Sequence, residues 1–206
     1  YLHEKFSIDD VRAYAKAYIR GGFDSNRWAY VHIGKPNMPP VSDMPYRALT
    51  PSAFDVSGTR QGNQVTIEMR ATPDKTGIAY PVTSRIILHN DVPYVDIELT
   101  ISKPPDNRPE AGWICLPFKV DAPRFRVGRN GFIMDPANDI VPGANHNLYA
   151  VGTGVALFDQ RGRGVGLCAP DTPLVSLGKP GCWQYDPVYI PEKPAVYFNL
   201  FNNQWS

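Results

Sequence analysis

Twenty-one prolines and seventeen glycines punctuate this chain, singly or in pairs, at short intervals along nearly its whole length. Long helices do not survive such spacing, because proline lacks a backbone donor and its ring clashes with the preceding turn. Short strands joined by turns do survive it. The expected fold class is therefore mainly β: a large antiparallel β-sandwich, with helix confined to the one stretch that the prolines spare.

That stretch is "SIDDVRAYAKAYIRGG". Ser7 and Asp10 stand at capping-box spacing, which satisfies free N–H groups at a helix start. Val11, Tyr14, Ala15, Tyr18 and Ile19 recur with helical period and form one apolar stripe. Lys16 and Arg20 suit the negative end of the dipole, and Gly21-Gly22 ends the run. The spacing predicts a helix over Ser7–Arg20, its stripe packed on the sandwich. Residues 1–45 read as this helix and a proline-rich connector from an upstream domain, and residues 46–206 as the sandwich, truncated at its C-terminal end.

Beyond the connector the period changes to two. "QVTIEMRA" sets Val65, Ile67 and Met69 against Thr66, Glu68 and Arg70. "YVDIELTIS" sets Val95, Ile97, Leu99 and Ile101 against Asp96, Glu98, Thr100 and Ser102. These are strands with one wet face. Asn90-Asp91 turns the strand at Arg85–His89 into the next, and Asn130-Gly131 is a type I′ hairpin signal between "RFRVGR" and "FIMD". "YAVGTGVALFDQRGRGVGLCA" reads as two strands turning at Asp159–Gly162, and the last strand as Val196–Asn202. The count is roughly ten to fourteen short strands.

With a net charge of +1 and scattered basic residues (Arg124, Arg126 and Arg129 form the densest group), no nucleic-acid partner is expected. No apolar run reaches the roughly 18 residues of a membrane span. Cys115, Cys168 and Cys182 form no CxxC and no Cys/His cluster, so neither a disulfide framework nor a metal site is expected, and no cofactor in this chain. "GCW" at 181–183 is similar to a cysteine-protease nucleophile stretch, without that family's surrounding pattern. The chain opens on "YLHEKF" and closes on "AVYFNLFNNQWS", aromatic where ends are usually polar. The expectation is a piece of a longer polypeptide.

Three stretches carry chemistry suited to a sugar, which needs a flat aromatic and paired polar groups. "RPEAGWICLPF" places Glu110 and Trp113 before an apolar strand. "MDPANDIVPGANHNLY" gathers Asp135, Asn138, Asp139, Asn145, His146 and Asn147 in a loop of about fifteen residues, a length often functional. "NLFNNQWS" sets Asn202, Asn203, Gln204 and Trp205 at a strand end, and neighbouring amides are costly to bury. Each has a plainer reading: turn chemistry for the loop, core packing for Trp113, loop bracing for the amides. His3, His32 and His89 have no metal-ligand spacing.

The combination of "ILHNDVPYVDIELTISKPPDNRPEAGWICLPF", "GFIMDPANDIVPGAN", "DTPLVSLGKPG" and "VYFNLFNNQW" resembles the C-terminal β-rich half of α-mannosidase-like proteins related to glycoside hydrolase family 38. The likeness runs from about residue 45 onward. It implies a galactose-mutarotase-like supersandwich, and a zinc site and nucleophilic aspartate in an upstream barrel with no counterpart here. In such proteins Gly-Thr-Asn follows Asn-Asn-Gln-Trp; here Ser206 takes the place of the Gly. The implied role is a non-catalytic part that shapes a carbohydrate cleft, with the upstream catalytic domain and the carbohydrate as partners. Asn202, Asn203 and Trp205 are the first substrate-facing candidates, then Glu110, Trp113, Asn145 and His146. Two other readings stay open: an autonomous carbohydrate-binding module, and an aldose epimerase pairing His89 or His146 with Glu98 or Glu110 as acid and base.

Overall fold

The computed structural model describes residues 1–20, 35, 37–51, 54–71 and 80–204. Among them are fourteen strands and one helix. The chain forms two compact units: the first takes Tyr1, His3–Arg47 and Asn107–Ser206, the second Leu2 and Ala48–Asp106.

In the first unit, β1 (Leu2–Lys5) leads directly into α1 (Ile8–Arg20). The predicted cap is present and reciprocal. Asp10 N–H donates to Ser7 Oγ at 3.3 Å, and Ser7 N–H to Asp10 Oδ2 at 2.8 Å. Val11, Tyr14 and Ala15 of the stripe are buried and Tyr18 is half-buried; the Ile19 side chain lies outside the described residues. The partner of the stripe is aromatic. Tyr14 meets Trp183 edge-on at 5.5 Å between centroids, and Tyr18 meets Tyr185 at 5.6 Å.

The rest of this unit is a sandwich. Its larger sheet runs in the order β10-β13-β14-β7-β1, formed by β10 (Tyr149–Ala150), β13 (Leu174–Leu177), β14 (Ala195–Asn202), β7 (Glu110–Pro117) and β1, and β2 (Arg47–Leu49) falls where the chain passes from one unit to the other. The smaller runs β12-β11-β8-β9, formed by β12 (Gly164–Leu167), β11 (Gly154–Phe158), β8 (Arg124–Arg129) and β9 (Phe132–Met134). Alternation decides which side chains meet. Val175, Leu177, Val196, Phe198 and Tyr149 from the larger sheet pack with Phe125, Val127, Val155, Leu157 and Met134 from the smaller as one core. The β8–β9 turn is at Asn130-Gly131, where φ of 50° and 83° meets the type I′ requirement for two left-handed residues. The stretch read as two strands around Asp159–Gly162 contains three, β10, β11 and β12, with the turn where the spacing places it.

The second unit is an antiparallel meander of β3 (Asp55–Gln61), β4 (Gln64–Ala71), β5 (Val82–His89) and β6 (Val95–Ile101). Register puts Val65, Ile67 and Met69 beside Leu88, Ile86 and Ser84, and these beside Val95, Ile97 and Leu99. The other face is charged. Arg85 Nη1 lies 2.7 Å from Glu98 Oε2, Arg70 Nη2 2.6 Å from Glu68 Oε1, and His89 Nε2 2.8 Å from Asp96 Oδ2. Pairs this exposed contribute about 0–1 kcal/mol each, so they fix orientation and solubility more than stability.

The architecture is thus mainly β with antiparallel sheets and one N-terminal helix, as proline spacing and period-two patterning predict.

Candidate functional site

Polar side chains converge in three places in the first unit. The first surrounds β1. Successive residues of a strand point to opposite faces, and both faces of β1 carry a buried polar contact. His3 Nε2 and Glu110 Oε2 share a hydrogen bond of 2.9 Å. On the adjoining residue, Glu4 Oε2 accepts from Trp113 Nε1 at 2.8 Å and Glu4 Oε1 from Tyr46 Oη at 2.9 Å. Burial raises the carboxyl pKa of Glu4 above its ordinary value, and the donors Tyr46 and Trp113 temper the rise. The end of β14 closes this group. Asn203 N–H donates to Glu110 O at 3.0 Å, and its amide to Arg108 O at 3.0 Å and toward Glu110 Oε1 at 3.5 Å.

Opposite β14, Phe201 aligns with Gly112 and Asn202 with Ala111, after a register shift between Asn199 and Phe201. The Phe201 ring lies where a Gly112 side chain would stand. Asn202 is engaged at both ends, its amide donating to Asn199 Oδ1 at 2.7 Å and its oxygen accepting from Gln204 N at 3.3 Å. Gln204 is itself buried and donates to Cys182 O at 3.0 Å.

The second group joins the long loop to residues 184–189. Asn145 Oδ1 accepts from Asn147 N and from Asp186 N, and its amide donates to Gln184 O at 2.9 Å. His146 Nδ1–H donates to Tyr189 O at 3.0 Å, which fixes the ring's tautomer. Ser176 Oγ donates to Asn147 O at 2.6 Å, and Tyr185 Oη to Gly143 O. These bonds give a segment without regular structure its backbone partners, which a packed loop requires.

The third is a pocket of about 460 Å³ between β8, the turn at Asp135–Asn138 and the segment at Ile190–Pro191. Arg126 Nη1 donates to its neighbour's carbonyl, Phe125 O, at 2.8 Å and pairs with Asp135 Oδ2 at 2.9 Å. Asp135 is held in turn by Ala137 N and the Asn138 amide, each at 3.0 Å. Behind the guanidinium is the Phe158 ring, 5.6 Å from Cζ to centroid.

Of the residues singled out by sequence, Glu110, Trp113 and Asn203 share the first group. Asn202 adjoins it, Asn145 and His146 belong to the second, and Trp205 lies outside the described residues. Glu110 and Trp113 are fully enclosed. Polarity marked these positions; it could not distinguish a sugar contact from an internal brace. His3, Glu4 and Tyr46 carried no local signal, because their partners are distant in sequence. Arg124, Arg126, Asp135 and Asn138 were visible as a basic group and a turn, with nothing to place them in one cavity.

Other candidate nucleophiles and bases differ in access, and the Cys168 thiol is exposed. Cys182 is buried and burial drives its thiol pKa far up, which suppresses the thiolate a nucleophile needs. His89 pairs with Asp96, and His146 with a backbone carbonyl, rather than either with Glu98 or Glu110. Among the described residues no group of three His, Cys, Asp or Glu side chains could hold a metal ion. Compared with protein-family models, curated proteins and solved structures, the chain matches none.

Proposed function

We propose that this chain is the non-catalytic β-sandwich part of an α-mannosidase-like glycoside hydrolase, shaping the carbohydrate cleft of a catalytic barrel carried upstream in the same polypeptide. The observation that carries this reading is where the resembling stretches fall. "ILHNDVPYVDIELTISKPPDNRPEAGWICLPF" runs from β5 through β6 to the end of β7. "GFIMDPANDIVPGAN" is β9 with its loop, "DTPLVSLGKPG" centres on β13, and "VYFNLFNNQW" takes in most of β14. Each likeness coincides with strands and their adjoining loops in a mainly antiparallel architecture.

Five carboxylates fit the non-catalytic half of the reading. Glycoside hydrolysis uses two carboxyl groups that flank the scissile bond across an open cleft. Glu4 and Glu110 are buried and bonded within the chain, while Glu68, Asp96 and Glu98 sit in ion pairs on a strand face. Asn202 and Asn203, half-buried at the end of β14, brace the wall of the cleft in this reading.

The test is hydrolysis of aryl α-mannosides by the chain alone and by the polypeptide that includes its natural upstream sequence, with and without zinc. Turnover is expected only from the longer protein. Zinc-dependent turnover by the 206-residue chain, or a longer protein lacking a barrel with Asp/His metal ligands, overturns the proposal.

A further inference from the structure

We propose that the pocket between β8, the Asp135–Asn138 turn and Ile190–Pro191 is a saccharide-binding site that takes an uncharged pyranose. The substrate class rests on the function proposed above; the position and the charge argument do not. At about 460 Å³ the cavity falls within the size range of small-molecule sites.

Charge selects the ligand. Arg124 and Arg126 lie two apart on β8 and so share a face. Against them stands one carboxylate of the lining, Asp135, which pairs with Arg126 at 2.9 Å. The net charge left is that of Arg124, which is exposed to solvent and so screened, a weak hold on an oxyanion. Donors and acceptors alternate instead. Guanidinium N–H groups and the Asn138 amide donate, while the Asp135 carboxylate and the Asn138 oxygen accept. Vicinal hydroxyls, each both donor and acceptor, match that alternation.

The site is also pre-organised. Arg126 is fixed by Phe125 O, by Asp135 and by the Phe158 ring, and those bonds occupy only one of its nitrogens. Pro123, Pro136 and Pro191 stiffen the walls, so little ordering entropy is lost on binding. Ile190 and Ala137 supply apolar surface for the C–H face of a ring.

The test is an NMR titration of the isotopically labelled full chain, reading arginine Nε–H and backbone amide signals. The probes are methyl α-mannopyranoside, methyl β-galactopyranoside, glucuronate and inorganic phosphate. A neutral glycoside is expected to shift Arg126 Nε–H and the amides of Ala137 and Asn138 saturably. Ile190→Trp, which fills the pocket, is expected to weaken this by about tenfold or more, or about 1.4 kcal/mol, at an unchanged melting temperature. Arg124→Ala, at an exposed position, is expected to weaken it to a lesser degree. Shifts with glucuronate or phosphate alone would make this an anion site and overturn the assignment. Glycoside shifts confined to Asn145–His146 or Asn202–Asn203 would overturn the position while leaving the function standing. No shift with either glycoside overturns the site, and the hydrolysis experiment then judges the function separately.

Discussion

His3 and Glu110 are 107 positions apart in the chain, yet Nε2 and Oε2 lie 2.9 Å apart with neither side chain reaching solvent. Through this contact β1 is joined to β7 from inside the fold. Removing one partner of a buried hydrogen bond costs about 1–3 kcal/mol. Glu110→Ala and His3→Ala should each lose stability on that scale in urea unfolding. The double change His3→Leu/Glu110→Met removes both ends of this hydrogen bond at once and should cost clearly less than the sum of the single changes. Additive losses would mean that the two side chains act independently.

Glu4 gives the fold a dependence on pH of definite sign. Burial raises its pKa in the folded chain above the ordinary glutamate value. A raised carboxyl favours the protonated form, so its contribution is fully present below the unfolded-state pKa. That contribution is lost as pH rises through the folded-state value. Between those two values stability should fall as pH rises, as far as this group is concerned. Glu4→Gln keeps an acceptor for Trp113 and removes the titration. Compared with the parent it should flatten that limb and unfold at higher denaturant near neutral pH. An unchanged difference between the two proteins across the window would rule out Glu4 as the source.

The three thiols should be distinguishable by reagent. Cys168 is exposed, Cys115 is partly covered with its pKa pushed up to about 11, and Cys182 is buried and driven higher. The reactive species is the thiolate. At neutral pH Ellman's reagent should therefore modify Cys168 rapidly, with Cys115 slow and Cys182 silent until the protein is unfolded. Fast modification of Cys182 in the native protein would contradict its burial beside Trp183.

What was legible in the sequence is what is local. The Ser7/Asp10 cap, the Val11–Tyr14–Ala15 stripe, the Asn130-Gly131 turn and the alternation of β4 and β6 each depend on residues within a few positions of one another. β1 had no such signal: the four residues "LHEK" form a strand beside β7, and their partners Glu110 and Trp113 are over a hundred positions away in sequence. The division into two units was hidden for the same reason, since the first unit joins the N-terminal segment to residues beyond Asn107. At the candidate site, composition identified Glu110, Trp113, Asn145 and Asn203 as polar or aromatic groups worth watching. Whether such a group faces a ligand or the interior is decided by strands arriving from elsewhere in the chain.

Gly112 has a reason that can be tested by a mutant cycle. A Cβ built there would stand 2.2 Å from Cε1 and 2.5 Å from Cζ of Phe201, far inside contact distance. The ring also meets His3 edge-on, at 5.8 Å between centroids, and this contact restricts its movement. Gly112→Ala should therefore force the ring or the β7–β14 pairing to move, at about 1–3 kcal/mol, the usual cost of overpacking. Phe201→Ala removes the obstacle. In that background the added methyl group fills space instead of competing for it, and Gly112→Ala should cost close to nothing. The expected coupling is thus large and of the sign that makes the double variant more stable than additivity allows. Urea unfolding of the four proteins measures it. If Gly112→Ala costs the same with and without the Phe201 ring, then the ring is not what excludes a side chain at this position, and the strand pairing itself must be.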